Sequence, residues 1–162
     1  MRIIVKLLLI TFSLLFYVPT INAEPEQVDS SEVTVIEVPE SLSNPRQTMK
    51  TFVTAMQAVN DGEKQRINDA ISTLDLTGVS ELIRNAKGKE LVNTLSSVLE
   101  RSKKVVLSSI GTNPVSKSYV FGHYSQGQVE IVKHADGRWL FSQDTMTVLP
   151  AILEGLLEEP AK

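Results

Sequence analysis

From Met49 onward the apolar residues fall at helical spacing, with Met49, Phe52, Val53, Met56 and Val59 on one stripe. Asn44 at the N-cap, Pro45 at the first helical position and Gln47 at the capping-box position predict where this helix starts. Asn60-Asp61-Gly62 predicts its end, with the glycine in the left-handed position after the cap. A second helix is expected from about Glu63 to Leu74, burying Ile67, Ala70, Ile71 and Leu74. Leu76-Thr77-Gly78 reads as a break, and Ser80 to Ala86 as a short third turn or helix. Lys87-Gly88-Lys89 punctuates before a fourth helix, in which Leu91, Val92, Leu95, Val98 and Leu99 face inward.

After Arg101-Ser102 the period changes. Lys104 to Ile110 reads as a strand, with Ser108 and Ser109 pointing to opposite faces, and Gly111 to Pro114 as a loop. Ser118–Tyr124 and Gly127–His134 predict a hairpin, and in its second arm Val129 and Ile131 alternate with polar neighbours. Ala135-Asp136-Gly137 predicts a tight turn into a short strand, Arg138 to Phe141. Ser142 is a cap for a closing helix in which Pro150 marks an interruption or a restart. Ile152, Leu153, Leu156 and Leu157 supply its last apolar face. About four N-terminal helices, a small antiparallel sheet of three or four strands and a C-terminal helix make the expected class α+β, as one domain over residues 44–162.

The first 23 residues follow a different rule. Arg2 and Lys6 precede a mostly apolar run from Leu7 to Val18, Pro19 breaks it, and Ile21-Asn22-Ala23 places a small residue before a cleavage point. That is the layout of a secretory signal peptide. The run has 12 residues, whereas a bilayer span needs about 20, so an uncleaved anchor is the weaker reading. Cleavage after Ala23 leaves 139 residues with a net charge of −5, and the periplasm is the expected compartment. Residues 24–43 form an acidic leader with no Lys or Arg, read as a flexible tether. Within it Val33 to Val38 fits either a strand that adds to a sheet edge or a chance apolar patch in a disordered segment.

Composition then removes chemistry. The chain has no Cys, so disulfides, thiol catalysis and Cys-based metal sites are excluded. The acidic balance gives no footprint for nucleic acid. His123 and His134, with Glu130 and Asp136 nearby, are the only set resembling a metal or general acid–base site. Their spacing matches no ligand motif, and both read as solvated residues at strand ends. No Gly-x-Ser-x-Gly elbow and no phosphate-cradling glycine loop occurs. The Glu158-Glu159 pair lies too near the chain end for a dry site. Lys87, Lys89, Arg101, Lys103 and Lys104 give the fourth helix basic ends, read as a solvated face and a dipole complement in preference to a lipid-facing patch. Phe52, Trp139 and Phe141 are candidates for an apolar pocket between sheet and helices, with ordinary core as the alternative. No catalytic residue, metal or cofactor is expected.

Ser43-Asn44-Pro45-Arg46-Gln47-Thr48 leading into Thr51-Phe52, Leu74-Asp75-Leu76, Gly88-Lys89-Glu90-Leu91, Leu99-Glu100-Arg101 and Asp136 to Ser142 with Leu149-Pro150 together form a pattern. It resembles the extracytoplasmic N-terminal module of some bacterial small-conductance mechanosensitive channels, over residues 43–157. In those channels the module precedes membrane helices, and this sequence shows no membrane span after it, so the resemblance implies a free-standing periplasmic copy. It transfers no catalytic or binding residue. The expectation is a non-catalytic interaction or regulatory module whose partner is a membrane protein of the envelope, with a binding domain for a lipid or other small apolar ligand as the alternative.

Overall fold

The computed structural model describes residues 37–113 and 115–158. The segment read as a signal peptide, most of the expected leader, including Val33 to Ile36 of its strand-like stretch, and residues 159–162 lie outside them. Among the described residues the protein is α+β: helices first, a three-stranded antiparallel sheet, and a helix at the C-terminal side. The packed region begins before Asn44, because Glu40–Leu42 forms a 3-10 turn that buries Leu42, and Thr51 of the following helix donates to the Ser41 carbonyl at 3.1 Å.

Helix α1 spans Pro45–Asn60, and its Asn44 cap accepts from the Gln47 amide at 3.0 Å. Its end is a Schellman arrangement: Glu63 N–H donates to Ala58, Gly62 N–H to Val59, and Gly62 has φ +105°. The expected second helix divides into a 3-10 turn at Lys64–Arg66 and α2 at Ile67–Ile71.

The two helices predicted on either side of Lys87-Gly88-Lys89 are one helix, α3, from Glu81 to Arg101. Gly88 does not break it; it is buried, and a Cβ there would lie 2.9 Å from Ile71 Cγ2 and 3.2 Å from Leu76 Cδ1. The glycine lets α3 approach α2 closely. Residues 81–86 are exposed throughout, with Leu82 97% and Ile83 56% accessible, so among the described residues nothing covers the first turns of α3.

The strand expected at Lys104 to Ile110 is absent. That segment has no pairing partner and instead forms a 3-10 turn at Leu107–Ser109, held by Arg46, whose Nε donates to the Ile110 carbonyl at 2.7 Å. The sheet is β1 (Ser118–Tyr124), β2 (Gly127–Lys133) and β3 (Trp139–Phe141), in that spatial order. Phe121 is an extra residue in β1, where the register shifts between Val120 and Gly122, giving a bulge. The outer side of β3 is closed by Thr73–Asp75, where the sequence predicts that the second helix runs on to Leu74: Phe141 N–H donates to Thr73 and Asp75 N–H to Phe141, both at 2.9 Å.

Helix α4 (Gln143–Glu158) begins at the predicted cap, with Thr145 N–H donating to Ser142 Oγ at 3.0 Å. It runs through Pro150, which is exposed, where water can satisfy the carbonyl that a missing N–H releases. Thr145 also accepts the Glu130 amide at 3.0 Å, covering the part of β2 that extends past β3. Phe121, Val129, Ile131, Trp139 and Phe141 of the sheet share one core with Met49, Phe52 and Met56 of α1, Leu95, Val98 and Leu99 of α3, and Met146, Leu149 and Ile152 of α4. No helix among the described residues is long and apolar enough to cross a membrane.

Candidate functional site

The residues with the shape of a binding site lie between the C-terminal halves of α1 and α3. Helical spacing puts Phe52, Val53 and Met56 on adjoining parts of the α1 surface, and Ser96, Leu99 and Glu100 do the same on α3. With Ser102, Lys104 and Val105 they line an open groove of about 430 Å³. Phe52 and Leu99 give it an apolar floor, and Gln57, Asn60, Glu100 and Lys104 a polar rim. One end is fixed by a tie between layers: Ser102 Oγ hydrogen-bonds the Tyr124 hydroxyl at 2.7 Å and donates to the Val98 carbonyl.

Of the three pocket candidates, Phe52 lines this groove, whereas Trp139 and Phe141 do not. Phe52 and Phe141 meet edge to face, centroids 5.5 Å apart, and Trp139 is 4% exposed. The structure therefore uses Phe141 and Trp139 as core, in a short strand buried at every position. The groove's other lining residues are polar or lie at helical spacing shared with the core. For that reason sequence pattern did not single them out.

The two histidines are not brought together. His123 is exposed near the hairpin end of β1, opposite Gln128. His134 follows the other end of β2, about 20 Å farther along the strand at ~3.3 Å per residue. His134 is not the fully solvated residue expected from its place beside a turn. Its side chain is 22% exposed, and Nε2 lies 3.4 Å from Oδ2 of the buried Asp75 but has no hydrogen-bond partner among the described residues. Asp75 is otherwise engaged, its Oδ1 accepting from the Thr77 amide at 3.0 Å and hydroxyl at 2.6 Å. A base beside a carboxylate is part of the arrangement a nucleophilic triad needs, but among the described residues neither histidine hydrogen-bonds a carboxylate or a hydroxyl. Nor does any cluster of three or more metal-ligating side chains occur among them. Asp75 was missed as a buried acid because nothing in its local pattern distinguishes it from a loop residue.

Asp136 belongs to the turn: it accepts from the Arg138 amide at 3.0 Å and from Nε of the same residue at 2.8 Å. These bonds, the backbone one first, hold its carboxyl below the ordinary value. Burial moves the Tyr119 phenol the other way, upward. No family model, curated protein or solved structure matches the chain.

Proposed function

We propose that this chain is a non-catalytic module, exported by a signal peptide and working in the periplasm, that docks on a membrane protein of the envelope through the groove between α1 and α3. The observation carrying the reading is the groove itself: an apolar floor of Phe52 and Leu99, open to solvent and rimmed by Gln57, Asn60, Glu100 and Lys104. An apolar centre inside a polar rim is the usual anatomy of a protein contact. The sequence resemblance to an extracytoplasmic channel module supplies the class of partner, and the projecting Leu82 and Ile83 add apolar surface beyond the groove.

The test is crosslinking in intact envelopes followed by purification of the exported protein. A specific membrane protein is expected to co-purify, and Gln57→Arg with Glu100→Arg, both exposed, are expected to abolish its recovery while the circular dichroism stays unchanged. Undiminished recovery with the double variant removes the groove from the reading, and a protein recovered without any specific partner ends it. A small apolar ligand is the second reading, favoured by a groove volume within the range of about 300–1,000 Å³ typical of ligand sites. Mass spectrometry of organic extracts decides it: a lipid retained by the wild type and lost in Val53→Arg supports it, and an empty extract refutes it.

A further inference from the structure

We propose that the free edge of β1 is a second docking site, taking an extended acidic segment of a partner protein as an added strand. The inference does not rest on the groove. β1 is the terminal strand of the sheet, and the other open edges are satisfied: β3 by the 73–75 stretch, the projecting half of β2 by Ser142 and Thr145. Lys133 N–H donates to the Lys117 carbonyl at 2.8 Å, which fixes the antiparallel alternation. Tyr119 therefore faces Ile131 as a hydrogen-bonded pair, and the backbone groups of Ser118 and Val120 point away from β2. The Ser118 carbonyl accepts from Ser116, while the Ser118 amide and both polar groups of Val120 have no partner among the described residues.

The charge around this edge selects the occupant. β1 contains no acidic residue and is bordered by exposed lysines. Lys117 and Lys133 sit directly opposite each other across the β1–β2 pair, an arrangement of like charges that is unfavourable when nothing lies between them. Lys103 lies over the Phe121 ring at 5.1 Å from its centroid. None of the three makes an ion pair among the described residues. The acid of β2, Glu130, is held by Gln128 Nε2 at 3.0 Å. Lysines and a bulge on an edge strand repel an identical edge, so a second copy of β1 is a poor occupant. A strand carrying carboxylates satisfies the free backbone groups and relieves the lysine pair together.

Amide hydrogen exchange on the whole exported protein, with the synthetic peptide Glu-Val-Thr-Val-Glu-Val as probe, tests this. The Ser118 and Val120 amides are expected to become protected. Lys117→Gln with Lys133→Gln, both exposed and outside the core, is expected to weaken binding about tenfold. The same peptide with lysine for glutamate is expected to give no protection. Equal protection by both peptides overturns the proposal, as does protection of these amides in the protein alone, which would mean the edge is already occupied. Failure here with the groove partner still recovered refutes this inference and leaves the groove reading intact.

Discussion

Thr48 joins α1 to the sheet through a single buried hydroxyl, and its replacement by valine is a sharp test of how the two layers are held. Thr48 is fully buried, and its Oγ1 donates to the Trp139 carbonyl at 2.6 Å. The bond from His134 N–H to Arg138 C=O sets the β2–β3 alternation so that this carbonyl points away from β2. Valine matches threonine in size and is close to it in helix propensity. The main change is a buried carbonyl left without a donor, a cost of about 1–3 kcal/mol. The added methyl offsets part of that, by up to ~0.8 kcal/mol. Thr48→Val is thus expected to lower unfolding stability by about 1.5 kcal/mol, or roughly 6 °C in Tm for a domain of this size. Thr48→Ser keeps the hydroxyl and loses one methyl, so about 1 kcal/mol is expected. Urea unfolding of the protein measures both, with an unchanged m-value confirming that the same surface is exposed. A valine variant as stable as wild type or more stable refutes the reasoning, because the carbonyl would then have found another partner.

Gly88→Ala is expected to destabilise by about 1 kcal/mol, since overpacking against Ile71 outweighs the roughly 1 kcal/mol gained in helix propensity. Thermal unfolding checks it, and a stabilised variant would show that α2 yields. Leu82→Ser with Ile83→Ser is expected to leave stability within about 0.5 kcal/mol, because neither side chain is buried; a larger loss in the same denaturation would place them in a core. Asp136 has its folded-state pKa depressed from the ordinary 3.8, first by the Arg138 backbone amide. It therefore contributes stability at pH values above the unfolded pKa, lost as pH falls through the lower folded one. Acid titration of stability is expected to show the advantage of wild type over Asp136→Asn shrinking below about pH 4. An advantage independent of pH in that window contradicts the assignment.

Elements defined by local rules were legible. The Asn44 cap, the Gly62 terminus, the hairpin, the turn at Gly137 and the Ser142 cap each depend on residues a few positions apart. Gly88 and Lys104 to Ile110 misled for one shared reason. A glycine that breaks a helix and one that admits a neighbouring helix look alike in sequence, and Ile71 supplies the difference from 17 residues away. A run of β-branched residues becomes a strand only where the fold carries it to a sheet edge. Here Arg46 takes the Ile110 and Ser108 carbonyls and holds the segment beside α1 as a 3-10 turn.

The candidate sites divide in the same way. Sequence alone marked Phe52 as apolar and helical, and it removed cysteine chemistry outright. It could not separate Phe52, which reaches a groove, from Phe141, which closes against it in the core. By itself the chain determined the amphipathic stripes, their caps and turns, and the order of helices before sheet, because propensity and periodicity act within a few residues. Only the tertiary structure decided which glycine is a contact, which edge of the sheet stays open and where the lysines gather around it. Those outcomes depend on pairing and packing between segments far apart in the chain, where no local pattern records the partner.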